Sequence, residues 1–172
     1  MISRQLTVVF GLIFLLATIQ VNAQSVASTL IRGKNTFEFA EEVLANPQQL
    51  VALSLAIESR FQMQGDYRGL SNRYAQNAGW FAKGPMGLEH IEVASEPTQH
   101  QAHGNYSITL RKLTFKECQF LANNRPIKAM FTSVQLNGKT VFGRGHQEQT
   151  GVLCDDEWFF QDGKNTIQYV GR

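Results

Sequence analysis

Cysteine, proline and surplus charge are all scarce in this sequence. Its 172 residues include two cysteines and four prolines, and the formal net charge is +2. A charge this close to neutral, without a run of Lys or Arg, does not favour a surface for nucleic acid. The chain is also without an evident internal repeat or low-complexity segment. A hydrophobic content of 43% and a charged content of 17% instead indicate a globular domain with a small appendage.

Recognisable catalytic motifs are absent as well. The chain has four histidines, His90, His100, His103 and His146, but a zinc site needs more convergent ligands than His100 and His103 provide in one polar turn. No Gly-x-Ser-x-Gly elbow occurs. Residues 143–146 have the glycine content of a phosphate loop without its spacing. The sequence therefore predicts neither an enzyme nor a metal or cofactor site.

A hydrophobic run long enough for a comfortable membrane span is also missing. The apolar run extends from Leu6 to Ile19, whereas a transmembrane helix needs about 20 apolar residues. Arg4 precedes the run, and small or aliphatic residues lead up to Gln24, which is the pattern of a secretory signal. We expect residues 1–23 to be a signal peptide cleaved after Ala23, which predicts a periplasmic or extracellular protein. Retention of this segment as an apolar membrane anchor is the alternative.

The two cysteines, Cys118 and Cys154, both follow this predicted signal. In an exported chain an even number of cysteines most simply forms one disulfide. The two positions are 36 residues apart, and closing such a loop stabilises a fold by roughly 3–4 kcal/mol in the chain-entropy picture. A reactive thiol pair would favour a Cys-x-x-Cys spacing, which is absent.

Residues 24–64 are predicted to form a helical spine. Thr36 can cap a first helix with acidic residues in its early turns. Asn46 and Pro47 then make a joint, where either two helices meet or one long helix kinks; the kinked spine is favoured. Asn46 is the expected cap of the second part, with Gln49 as its capping-box partner.

Each part of this spine has a predicted buried face. The predicted buried side chains of the first part are Phe37, Ala40 and Leu44. Those of the second part recur at helical spacing and would each contribute roughly 1.5–3 kcal/mol on burial: Leu50, Leu53, Ile57 and Phe61. The opposite face is expected to hold Ser54, Glu58 and Gln62.

Residues 65–172 are predicted to form a loop followed by an antiparallel sheet with one disulfide. The loop is rich in Gly and Asn and interleaves four aromatic residues, Tyr67, Tyr74, Trp80 and Phe81. Such rings normally anchor a long loop on a core, and this loop is also the candidate interaction surface.

From Leu88 onward the apolar period changes to two, which is typical of strands. We expect a short helix capped by Thr114 and Glu117 and holding Cys118, and a hairpin turned by Asn137-Gly138. The predicted strands are 88–94, 106–111, 129–136 and 141–142, with a second hairpin of 157–161 and 165–170. The fold class is α+β, a long N-terminal helix packed on an antiparallel β-sheet.

The order of these parts resembles that of the type IVb pilins. The resemblance is carried by a hydrophobic N-terminus, the Tyr-Arg-Gly-Leu exit at 67–70, the loop through 78–86, Leu113-Thr114 with Cys118, and Cys154 ahead of Asn165-Thr166-Ile167. It implies a pilin-like α/β roll. It also implies a structural or interaction subunit of a type IV pilus, conjugative or secretion apparatus, with other pilin or apparatus proteins as partners and no cofactor.

One departure from that family concerns the N-terminus. A type IV prepilin has a glycine followed by an apolar helix with glutamate at its fifth position, but here Gly11 leads to Leu16 at that place. The mature chain therefore begins either at Gln24 or at Leu12. The alternative function, supported by the signal pattern and the Trp80-Phe81 loop, is a soluble periplasmic binding module unrelated to pili.

Overall fold

The computed structural model describes residues 31–84, 88–143, 154–155 and 163–172. Within them the chain forms helices first and then mostly strands. The helices are α1 (Thr36–Ala45), α2 (Gln48–Phe61), a short 3₁₀ helix (Gln62–Gln64), α3 (Asn72–Asn77), α4 (Phe115–Ala122) and α5 (Arg125–Lys128). The strands are β1 (Ile91–Glu96), β2 (Asn105–Leu113), β3 (Ser133–Leu136), β4 (Lys139–Gly143) and β5 (Asn165–Gly171).

Helix α1 is capped by Asn35 and not by Thr36. The Asn35 side chain accepts a hydrogen bond from the Glu38 N–H at 2.7 Å, and the Glu38 carboxylate accepts one from the Asn35 N–H at 3.5 Å. Thr36 is buried inside the first turn. The predicted cap was one residue late because Asn and Thr are both good N-caps and stand side by side.

The buried face of α1 also differs from the predicted one. Phe39, Ala40 and Val43 are buried, whereas Phe37 is 38% exposed and Leu44 is only partly buried. Both sets of residues satisfy helical spacing, so the sequence pattern could not choose between them. The position of the sheet made the choice.

Helices α1 and α2 are separate helices, so the favoured single kinked spine is wrong. Asn46 has extended backbone angles, φ −143° and ψ 93°. Its side chain accepts a hydrogen bond from the Gln48 N–H at 3.2 Å. Pro47, however, stands at the cap position of α2, so Asn46 lies one residue before the expected place of the cap. Gln49 does not reach back as a capping-box partner, because its Oε1 is buried without a hydrogen-bond partner among the described residues.

Helix α2 buries the four predicted apolar side chains completely or almost so: Leu50, Leu53, Ile57 and Phe61. Ser54, which was expected on the outer face, is buried too. Its Oγ lies 2.6 Å from the Tyr106 hydroxyl of β2, which in turn donates to Glu58 Oε1 at 2.6 Å. The buried stripe of α2 is therefore wider than the apolar stripe, and a polar network joins the helix to the sheet.

The sheet has five antiparallel strands in the order β1-β2-β5-β3-β4, which confirms the α+β class. Strand β5 lies in the middle and pairs with β2 on one side and β3 on the other. The predicted hairpin between residues 157–161 and β5 is therefore wrong, since both edges of β5 are occupied over 167–170. Residues 157–161 lie outside the described part of the chain.

Two predicted strands begin earlier than the observed ones. The first covers Ile91–Glu96 because residues 88–90 form a turn. The third begins at Ser133 because residues 129–132 form the turn that ends helix α5, in which the Met130 N–H donates to the Ile127 carbonyl at 3.0 Å. The Asn124 side chain caps the start of that helix by accepting from the Ile127 N–H at 3.3 Å. The hairpin after β3 is confirmed: Asn137 and Gly138 have φ of 49° and 78°, as its tight turn requires.

None of the described helices is both long and apolar enough to cross a membrane. The predicted signal, residues 1–23, lies outside the described residues, as does the start of the predicted 24–64 spine.

The two leucines of α2 that differ most in burial provide a direct test of the core. Leu53 is fully buried, whereas Leu55 is 41% exposed. We expect Leu53→Ala to lower the free energy of unfolding by about 2–5 kcal/mol. The same substitution at Leu55 should change it by about 0.5 kcal/mol or less. Urea unfolding followed by circular dichroism measures both, and similar losses for the two variants would contradict the observed orientation of α2.

Alkaline pH provides a test of the Tyr106 network. Burial and the hydrogen bond to the Glu58 carboxylate raise the pKa of Tyr106 above its usual value. The folded state therefore holds this proton more tightly than the unfolded chain, in which tyrosine titrates near about 10. The resulting stability is fully present below about pH 10 and is lost as the pH rises through the folded-state pKa.

We expect Tyr106→Phe to be less stable than the parent at neutral pH, because a buried hydrogen bond is lost. It should, however, lose less stability between about pH 9 and pH 11, since one fewer tyrosine with a raised pKa contributes to the slope. Tyr67 and Tyr169, whose pKa values are also raised by burial, keep part of the slope in both proteins. Equal slopes in denaturant titrations would argue against this assignment.

Candidate functional site

The predicted disulfide is present. It joins Cys118 in α4 to Cys154, and the two Cα atoms are 6.0 Å apart. Both cysteines are buried. The bond ties the segment that precedes β5 to the helix that follows β2, so it encloses α5, β3 and β4. We refer to α4, α5 and residues 154–155 together as the cystine region.

Helix α4 begins with the predicted capping box. The Thr114 N–H donates to the Glu117 carboxylate at 2.8 Å, and the Thr114 Oγ1 accepts from the Glu117 N–H at 3.4 Å. The helix direction is therefore set at its first turn. This places Cys118 on the inner side, while Phe120 on the outer side is 48% exposed.

Asn165, at the start of β5, holds the cystine region to the sheet. Its Oδ1 accepts from the Asp155 N–H at 2.7 Å and from Asn137 Nδ2 at 3.0 Å. Its Nδ2 donates to the carbonyls of Asp155 at 3.1 Å and Leu113 at 3.2 Å. All four hydrogen-bonding positions of this buried amide are thus used. Sequence reasoning missed this residue, since a single Asn before a strand gives no signal of such a role.

The junction between β2 and α4 is closely packed against the start of β5. A Cβ at Gly163 would overlap the backbone of Leu113 and Thr114. Lys112 has φ of 58° at the bulge in β2, a conformation that non-glycine residues adopt rarely. The disulfide therefore holds the cystine region together, and the amide network and close backbone packing fix it to the sheet.

The outer face of the cystine region combines apolar and basic groups. A shallow depression there is lined by Lys116, Gln119, Phe120, Asn123, Asn124 and Pro126. Met130, just after α5, is also exposed. Exposed large apolar side chains beside polar groups are a common property of protein interaction surfaces.

The four aromatic residues of the candidate interaction loop lie largely against the core. Trp80 and Phe81 are only 5% and 1% exposed, so these two side chains are anchors and not accessible contact groups. Tyr74 stacks between Phe61 and Trp80, with ring centroids 5.1 and 5.8 Å away. Tyr67 packs against Tyr106 at 5.0 Å and remains partly accessible. A contact of this loop with a neighbouring protein stays a prediction.

The outer face of the sheet carries a second, polar depression of about 360 Å³. Glu96 Oε1 accepts hydrogen bonds there from Ser107 Oγ at 2.7 Å and Gln168 Nε2 at 3.0 Å. Arg111 and Glu92 form an ion pair at its margin. Both faces of β2 are buried at its centre, since Ser107 and Thr109 are buried as well as the apolar side chains that alternate with them.

The three histidines that the structure describes do not converge. His103 Nδ1 lies 2.9 Å from Ser95 Oγ, the His90 ring packs edge-on against Phe37 at 5.1 Å, and His100 is exposed. His146 lies outside the described residues. In the part of the chain that the structure describes, no group of three or more His, Cys, Asp or Glu side chains could hold a metal ion.

The role of Asn165 can be tested by substitution. We expect Asn165→Ala to lower the free energy of unfolding by about 1–3 kcal/mol for each buried group that is left unpaired, the Leu113 carbonyl among them. Asn123→Ala, at the exposed end of α4, is the matched control and should have an effect of about 0.5 kcal/mol or less. Thermal or urea unfolding measures both. A neutral Asn165→Ala would show that this amide does not hold the cystine region.

Comparison with known proteins is informative at the level of the fold. No family model matches the chain, and no curated protein matches it significantly. Among solved structures, the chain is similar to TcpA, a type IV pilin from Vibrio cholerae El Tor biotype, with 12% sequence identity and a TM-score of 0.54. The similarity covers 78% of this chain and 99% of TcpA. The described chain thus has a pilin-like α+β fold.

Proposed function

We propose that this chain is an exported structural subunit of a type IV pilus, or of a conjugative or secretion apparatus built from pilin-like proteins. The likeness to a type IV pilin over 99% of that chain's length carries the proposal. The type IVb subfamily is part of the proposal. It is supported by Leu113-Thr114 with Cys118 in the capped helix α4 and by Cys154 ahead of β5.

Export of the chain is supported by two independent observations. The first 23 residues have a signal-like pattern. The Cys118–Cys154 bond requires an oxidising compartment of the kind found in the periplasm or outside the cell. The proposed partners are other pilin or apparatus proteins, and the proposed role is to present surfaces to them, without catalysis or a cofactor.

Processing of the N-terminus decides which form of subunit the chain becomes. Cleavage after Ala23 would remove the apolar segment, whereas cleavage after Gly11 would leave it on the mature chain. We expect mass spectrometry of the mature chain to find Gln24 as the first residue, because Leu16 occupies the place of the prepilin glutamate. Ala23→Leu should then block processing, and Gly11→Leu should leave it unchanged. A mature chain that begins at Leu12 would reverse both expectations.

Association with an apparatus is the second part of the same test. Sheared filaments or purified secretion complexes from the native host should contain the chain, and deletion of its gene should impair adhesion or transfer. Absence from these preparations, with no effect of the deletion, would reject the proposed function. The alternative, a periplasmic binding module, would then be favoured, with the polar depression on the outer sheet face as its site.

A further inference from the structure

Two exposed aromatic side chains lie on different helices, one next to acidic residues and the other next to basic residues. Phe37 lies on α1 and is 38% exposed, and Phe120 lies on α4 and is 48% exposed. Most other rings of the described chain lie in or against the core. Both phenylalanines belong to well-capped helices, so their positions on the surface are fixed.

The charged neighbours have the same spacing from the ring on both helices but the opposite order along the chain. Glu41 lies four residues after Phe37, and Lys116 lies four residues before Phe120. Side chains four residues apart lie next to each other on a helix face, so each helix presents one ring and one charge side by side. Both charged residues are exposed, and neither has an ion-pair partner within the described ranges.

Additional charges reinforce this contrast. Glu38 is exposed at the start of α1, and Lys112 is exposed just before α4. The α1 face is thus acidic around its ring. Lys112 and Lys116 bring basic charge to the α4 face, where the Glu117 carboxylate is turned back to the Thr114 N–H. Complementary charge of this kind orients two surfaces and disfavours wrong pairings.

We propose that α1 of one copy of this chain docks antiparallel on α4 of a second copy. Antiparallel packing places Phe37 opposite Phe120 and Glu41 opposite Lys116 at the same time. Parallel packing would place each charge opposite a ring. This inference rests on the proposed function, because it names a second copy as the partner of the α4 face of the cystine region.

The contact is heterologous, since the two docking faces are different surfaces of one chain. A docked pair therefore leaves one α1 face and one α4 face free, one on each copy, and the contact repeats as an open chain or a closed ring. Two short helices bury less area than a stable dimer needs. The contact is thus weak between free copies and strengthens where other contacts hold the copies together.

Paired cysteine substitutions test the geometry. Full-length chains that carry Glu41→Cys or Lys116→Cys, with different epitope tags, are expressed together and oxidised in intact cells. Packed helices are about 8–10 Å apart, so facing Cβ atoms come within reach of a disulfide. The control pairs one of these two variants with Arg73→Cys, on the exposed side of α3. We expect the pair of Glu41→Cys and Lys116→Cys to give roughly tenfold more mixed-tag dimer than either control pair.

Charge reversal tests the electrostatic part without new cysteines. Glu41→Lys or Lys116→Glu alone should lower chemical cross-linking between copies roughly tenfold. The double variant should restore it, because every contact again contains one acid and one base. Arg73→Glu is the control for an equal change of charge elsewhere. Equal cross-linking in all variants, or a dimer formed by Glu41→Cys alone, would overturn the proposal.

The two proposals fail in different ways. A chain that is found in filaments but gives no mixed-tag dimer refutes the α1–α4 contact and leaves the function standing. A chain that forms the mixed-tag dimer but is absent from filaments and apparatus retains the contact between copies, and its proposed function is rejected.

Discussion

The central position of β5 is the constraint on which the rest of this fold depends. The last described strand lies between β2 and β3, so among the described strands it hydrogen bonds the two halves of the sheet to each other. Its inward side chains are fully buried, and Tyr169 packs on Phe131 at 5.0 Å. At its end, a Cβ on Gly171 would overlap the Tyr106 ring. The strand that completes the sheet therefore also fixes the ring to which helix α2 is hydrogen bonded.

The same strand determines where the cystine region lies. Asn165 at its start pairs with the backbone of Leu113 and Asp155, so the segment that carries Cys154 is held beside the end of β2. Helix α4 starts there, which brings Cys118 within bonding distance. The disulfide thus secures an arrangement that the strand order has already produced, and it makes the outer face of α4 a fixed surface.

Fixed surfaces are what a subunit of an assembly requires. The buried aromatic residues of the 65–84 loop stabilise the domain from within. The exposed rings lie on α1, beside acidic residues, and on α4, beside basic residues. A rigid domain loses little conformational entropy when it associates, so modest contacts suffice once copies are held close together. The polar depression on the outer sheet face is a separate feature, in which Glu96 is already hydrogen bonded to Ser107 and Gln168.

The sequence by itself determined the local features: the capping box of Thr114 and Glu117, the Asn137-Gly138 turn, the apolar stripe of α2 and the pairing of the two cysteines. The first three depend on residues that are close in the chain, so local interactions suffice to predict them. The cysteine pairing follows from there being only two cysteines in the sequence. Only the tertiary structure decided that Phe39 and not Phe37 faces inward, that Ser54 is buried, and that β5 lies between β2 and β3. Those outcomes depend on which surfaces meet across long sequence separations, and periodicity alone leaves several equally good arrangements.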